Sequence, residues 1–154
     1  MEYVDFVRLA HRSLATVALI KSGAMSRGQR DAILDRARSA NLCVVGSWFI
    51  PANEGLMRAF YEEHLGRPYF ERLVSSVTGP HGVHAAVLAG KDAVTVWRDL
   101  LGPSDPAKAP PGTIRHDFGG QIPDNAAHGS DGMFSALKEL GVLRDSYRIP
   151  NPWS

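Results

Sequence analysis

Apolar residues recur along this chain with two distinct periods. Tyr3, Phe6, Val7 and Ala10 stand at helical spacing and predict a short amphipathic helix over residues 2 to 12, ahead of the main fold. LATVALI, residues 14 to 20, is apolar and β-branched and predicts a buried strand ending at Lys21, where the chain turns through SGAMSRG. Ile33, Leu34 and Ala37, set among five charged residues, predict a helix over 28 to 40 that stops at Asn41. LCVVGSWFI, 42 to 50, reads as a second strand closed by Pro51. Residues 53 to 64 read as a second helix, with Leu56 and Phe60 inward, and 64 to 77 continue helically after a break at Gly66 and Pro68. VHAAVLAG, 83 to 90, supplies a third strand. Asp92 stands where it can cap a helix whose Ala93, Val96, Trp97 and Leu100 form one stripe and leave Arg98 off it. A proline-rich loop, 102 to 125, follows, in which DFGGQI is expected to form a short strand. Residues 131 to 140 form the last helix, begun by Ser130 and Asp131, with Phe134, Leu137 and Leu140 as its apolar side. The tail from Arg144 should lie extended.

This order predicts an α/β (α+β) chain with a ferredoxin-like split βαβ sandwich, its largely antiparallel sheet covered by helices on one face. A doubly wound parallel sheet is the alternative. No linker or repeat divides the sequence, so residues 1 to 154 read as one domain with 1 to 12 as an N-terminal extension.

Composition narrows the class. Hydrophobic residues make up 44% and charged residues 21%, which suits a globular core and argues against disorder. The net charge of +1 gives no whole-surface attraction to nucleic acid or membrane. No apolar run approaches the roughly 20 residues of a membrane span, and LATVALI is too short and too acidic at its front for an export signal. One cysteine, Cys43, excludes an internal disulfide and fits a reducing, cytoplasmic setting, with the thiol expected in the core. Only Lys21, Lys91, Lys108 and Lys138 are lysines, and the remaining cations are arginines, whose planar fork suits phosphate.

The chain carries no GxxxxGK[ST], no GxGxxG after a strand, no HExxH and no GxSxG. His11, His64, His81 and His84 sit in contexts that need no function, His81 and His84 lack a third ligand for a metal, and His116 is served by an ion pair with its neighbour Asp117. NAAHGSDG, 125 to 132, differs. A neutral imidazole with one ring nitrogen held by an acceptor and the other free can attack phosphorus in line, given cations to balance the phosphate charge. Glu139 could hold His128, and Lys21, Arg98 and Arg115 stand at or near loop ends. A helix cap with an incidental histidine accounts for the same residues, and spacing does not decide between the two.

NAAHGSDG resembles the signature N-x-x-H-G-S-D of the nucleoside diphosphate kinase family. ALIK at 18 to 21, YEEHLGRPYF at 61 to 70, WRDLLGPSDP at 97 to 106 and PPGTIRHDF at 110 to 118 resemble further family motifs in the same order. The resemblance implies that His128 accepts the γ-phosphate of ATP and passes it to a nucleoside diphosphate in a ping-pong cycle, oriented by Glu139 and Ser130. It implies phosphate and ribose contacts from Lys21, Tyr61, Arg98, Ser104, Arg115 and Asn125. Tyr69 and Ile122 would enclose the base, and Mg2+ would bridge the phosphates, with Asp131 holding it through water. A homo-oligomer, a tetramer or hexamer built from dimers, follows from the same resemblance, with no specific nucleic acid or membrane as partner. Ser104 replaces the usual threonine, keeping the hydroxyl, Tyr69 replaces the usual phenylalanine, and four further positions depart from the family pattern. Ser22 and Gly23 replace Pro-Asp, which suggests a looser turn at the lysine, while Pro123 and Asp124 replace glycine and arginine, which sets an acid beside the nucleotide site. Those departures keep two alternatives in view: a nucleotide-binding or regulatory protein with little turnover, and a phosphohistidine kinase with a specialised acceptor.

Overall fold

The structure is a computed structural model and describes residues 2 to 146. Helix α1 (Tyr3–His11) precedes strand β1 (Ala15–Ile20), and α2 (Ser22–Ser26) and α3 (Arg30–Ser39) lead to β2 (Cys43–Ile50). Helices α4 (Glu54–Phe60) and α5 (Phe70–Ser75), joined through a 3-10 turn at Glu62–His64, lead to β3 (Val83–Ala89). Then come α6 (Ala93–Leu101), a 3-10 turn at Pro106–Lys108, α7 (Ile114–Phe118), β4 (Ala127–Gly129) and α8 (Met133–Ser146).

The strands form one sheet in the order β2-β3-β1-β4, and every neighbouring pair is antiparallel. This is the split βαβ arrangement that the order of elements predicts, and the parallel alternative falls. The helices, however, cover both faces rather than one. Alternation along β1 shows why. Val17 and Leu19 join a core with Phe6, Phe60, Phe70 and Leu143, whereas Ala18 and Ile20 join a second core with Ile33, Leu34, Trp97 and Ile114. Successive side chains on a strand point to opposite faces, so a strand buried at every position needs a layer on each. Edge strand β2 alternates exposed and partly buried residues instead. Cys43 is exposed there, not in the core as expected.

Local chemistry sets most boundaries. Asn41, at a φ of 63°, stops α3 in the left-handed conformation that asparagine tolerates. The Asn53 side chain accepts from Leu56 N at 3.0 Å and begins α4. Asp92 does not cap α6 with its side chain. It takes a φ of 51°, and its carbonyl accepts from Val96 N. Between Lys21 and Gly28 the expected turn is largely a helix, α2.

Three expectations toward the C-terminus are corrected. DFGGQI forms no strand, because Thr113 caps α7 through His116 N and draws Asp117 and Phe118 into the helix; the short strand is Ala127–Gly129. The last helix starts at Met133 and runs past residue 140 to Ser146, and Ala136, Leu140 and Leu143 are apolar residues it buries while Phe134 is exposed. It is prolonged because α1 packs against it, with Phe6 in the shared core and the Arg144 guanidinium 4.3 Å from the centre of the Tyr3 ring. Arg144 to Ser146 are therefore helical rather than extended, and the rest of the expected tail lies outside the described residues. No helix among the described residues is long and apolar enough to cross a membrane.

Because α1 rests on α8, the N-terminal dozen residues contribute to the core. Phe6→Ala should cost about 3 kcal/mol by removing a fully buried ring, measured as a lowered midpoint in urea denaturation.

Candidate active site

Strand β4 exists only by pairing with β1, and that pairing sets His128 opposite Leu19. Behind the strand, Trp97 Nε1 donates to the His128 carbonyl at 3.1 Å, and the Phe60 and Tyr61 rings meet the imidazole edge-on at centroid distances of 5.0 and 5.4 Å. From α8, Glu139 reaches His128 Nε2 at 2.7 Å with Oε1, while Oε2 accepts from Ser130 Oγ at 2.7 Å. Ser130 Oγ in turn accepts from Val17 N at 3.3 Å, so it is fixed to β1 and does not cap the last helix. A carboxylate can only accept, so Nε2 carries a proton, and in the neutral ring the lone pair is on Nδ1. Nδ1 has no hydrogen-bond partner among the described residues, and His128 lines a cavity of about 380 Å³.

The walls of that cavity gather Lys21, Tyr61, Tyr69, Arg98, Ser104, Arg115, Ile122, Asn125 and Asp131. Lys21 follows β1, and its Nζ donates to Ser76 Oγ at 3.2 Å. Arg115, in the first turn of α7, donates to the carbonyls of Gly102 (2.9 Å) and Ala127 (3.1 Å). Arg98 is hydrogen-bonded to Asp131. Asn125 donates to the Ser104 carbonyl at 2.9 Å. Tyr69 and Ile122 are exposed apolar walls of the opening, 41% and 52% accessible. Glu139 and Ser130 lie behind the histidine, off the cavity. Three atoms of this set are buried without a partner: Tyr61 Oη, Arg115 Nε and Asn125 Oδ1. Such atoms call for an explanation, and a polar ligand in the cavity provides one.

The electrostatics point the same way. Burial first, and then Arg115 beside it, push the Lys21 ammonium down to about 7, against a smaller opposing effect of Asp124. Burial likewise lowers Arg115 to about 10 and raises the Tyr61 hydroxyl well above its usual range. An anion in the cavity would relieve both cations.

The structure adds residues that sequence reasoning missed. His64, Arg72, Leu73, Pro123 and Gly129 also line the cavity. Arg72 and Leu73 stand three and four places after Tyr69, the spacing of one helix face, which was the available signal. His64 Nδ1 meets the Tyr69 hydroxyl at 2.9 Å, so it holds the side chain at the mouth. Glu63, His64 and Asp131 each present a ligand-type atom, all within 4.8 Å of one another. One expectation about the departures is corrected and the other gains its geometry. The turn at the lysine is not loose, because α2 starts at Ser22, whose buried Oγ donates to the Gly82 carbonyl at 2.8 Å. The acid expected beside the site, Asp124, stands there, between Pro123 and Asn125 of the wall. It does not itself line the cavity, its carboxylate being held by Arg27. The loop pairing expected for His116 is present, with Nδ1 2.9 Å from Asp117.

Comparison with known proteins finds matches along most of the chain. Residues 15 to 148 match the family model described as nucleoside diphosphate kinase. The nucleoside diphosphate kinase of Aquifex aeolicus is 34% identical, with a TM-score of 0.79 over 84% of this chain and 94% of that one. That of Halobacterium salinarum, solved in complex with CDP, is 33% identical, with a TM-score of 0.77 over 90% and 96%. The enzyme from Encephalitozoon cuniculi is 32% identical, with a TM-score of 0.78 over 84% and 87%.

Lys21 carries a signature in stability. The unfolded chain holds its proton up to about 10.5 and the folded chain only to about 7, so between these values the unfolded state binds more protons and folding gains stability as pH rises. Lys21→Met should therefore be more stable than wild type below pH 7, and the difference should close toward pH 10.5. Denaturant melts across that range measure it.

Proposed function

Since the chain belongs to the nucleoside diphosphate kinase family and is a nucleoside-diphosphate kinase, we propose that it works through a phosphohistidine at His128 with ATP as donor. One observation carries this reading: the Glu139 carboxylate holds Nε2 and leaves the Nδ1 lone pair free in a cavity lined by Lys21, Arg98 and Arg115. Nδ1 attacks the γ-phosphorus in line, the bond from that phosphorus to the β–γ bridging oxygen breaks, and the nucleoside diphosphate leaves with the electron pair. An acceptor nucleoside diphosphate then attacks the phosphohistidine through a terminal phosphate oxygen, and the P–N bond breaks to restore the neutral ring. Glu139 and Ser130 act as positioning residues, since neither touches the cavity.

Lys21, Arg98, Arg115 and Tyr61 take the phosphates, and charge developing on the transferred group meets donors already in place. Ser104 and Asn125 serve the ribose and phosphates. Tyr69 and Ile122 enclose the base between a ring and an aliphatic face, an arrangement tolerant of base identity. Mg2+ fits the Asp131 corner, where the carboxylates of Asp131 and Glu63 offer oxygen ligands suited to that ion, directly or through water. When bound, it supplies charge neutralisation on the phosphates. We further read the chain as one domain with residues 1 to 12 as an extension packed on α8, acting as a homo-oligomer in the cytoplasm.

Incubation with γ-labelled ATP should leave an acid-labile, alkali-stable label on wild-type protein and none on His128→Ala; an unlabelled wild type sinks the reading. Chasing the labelled protein with GDP should discharge it, whereas retention of label points to a specialised acceptor. Glu139→Ala should keep nucleotide affinity and slow labelling on the order of 100-fold, because the ring loses the acceptor that orients it. Rapid-quench kinetics checks it.

A further inference from the structure

We propose that Asp124 is a positioning residue for nucleotide binding, and that position 23 is glycine to make room for it. Arg27, Gly23 and Asp124 then form one clamp on the loop that carries Ile122 and Asn125. The kinase reading supplies only the identity of the ligand.

Arg27 follows α2 directly. Its Nη1 and Nη2 donate to the Asp124 carboxylate at 2.5 and 3.2 Å, and Nη2 also donates to the Phe118 carbonyl at 2.7 Å. One guanidinium thus grips both ends of the segment 118 to 124. Inside it the chain closes on itself, with Gly120 N donating to the Asp124 carbonyl and Asp124 N to the Gln121 carbonyl, both at 2.8 Å. The carboxylate is 30% exposed and the arginine 36%, so solvent reaches the pair, and it is the two-pronged geometry together with the third bond to Phe118 that sets it apart from a single surface contact. Asp124 is flanked by Pro123 and Asn125, both on the cavity wall, and Asn125 is tied in turn to the Ser104 carbonyl. Fixing Asp124 fixes the wall on either side of it.

Gly23 gives the second line of support. It lies inside α2 with an ordinary helical backbone, where alanine is the better residue, so φ does not demand glycine. The reason is steric. A Cβ at position 23 would stand 2.5 Å from Asp124 Cγ and Oδ2. The two positions therefore cannot both carry side chains in this arrangement.

The test is a double-mutant cycle read as ADP affinity by calorimetry, with the melting temperature of each unliganded protein recorded beside it. Gly23→Ala, which would strengthen an isolated helix, should instead weaken ADP binding about tenfold by displacing the carboxylate, and Asp124→Ala should weaken it similarly. The double variant should bind no worse than Asp124→Ala, because the clash is gone. Arg27→Ala should reproduce the Asp124→Ala loss by a second route. Wild-type affinity in Gly23→Ala, multiplying effects in the double variant, or melting temperatures that fall while affinity holds would each overturn the clamp. ADP binding needs no phosphoryl transfer, so a protein that takes no label still tests the clamp. A wild type that binds no ADP overturns this proposal together with the kinase reading.

Discussion

The arrangement of the site depends on one buried carboxylate. Glu139 is 2% exposed, and a charge so buried is costly unless it is hydrogen-bonded on all sides. Its two oxygens meet that condition through His128 and Ser130, and Ser130 passes the connection on to the backbone of β1 at Val17. Helix α8, the strand that carries the histidine and the central strand of the sheet are thereby locked at one point. The length of α8 and the helix α1 laid against it follow from the same need, since the carboxylate is only as well placed as the helix that delivers it.

Opposite that anchored side the protein holds its cations at a cost. Lys21 is almost completely buried, Arg115 is partly buried, and Tyr61, Arg115 and Asn125 each keep a buried polar atom without a partner. None of this favours the empty fold. It does favour a ligand that carries both phosphate and hydroxyl groups: the two cations and the Tyr61 hydroxyl gain charge-assisted contacts from the anion, and Asn125 Oδ1, which can only accept, gains a hydroxyl donor. Stability is set aside where the ligand sits, and the two apolar cores on either side of the sheet supply the margin.

How much could be read in advance follows from how far apart the interacting residues are. The first three strands are legible because each is a continuous or alternating apolar run bounded by turn residues. β4 is not, since Ala-His-Gly becomes a strand only against β1. Helix α2 is too short for periodicity to mark it, and Phe134 misleads because its apolar character does not make it buried. In the site, Lys21, Arg98, Arg115 and His128 are scattered through the sequence, and only the resemblance grouped them; spacing alone left them equal to caps and surface charges. The partner of Asp124 lies 97 residues away, so the sequence displayed an acid without showing what neutralises it.

Gly129 shows that a glycine beside a reactive residue need not imply flexibility. A Cβ there would lie 2.7 Å from Trp97 Cδ1 and 3.0 Å from Leu101 Cδ1, so β4 rests directly on the indole that also holds the His128 carbonyl. The glycine is a spacer of zero thickness. Positions 97 and 129, 32 apart in sequence, are thus restricted as a pair: the bulk of the indole at one dictates the absence of bulk at the other, so a side chain at 129 would need a smaller residue at 97.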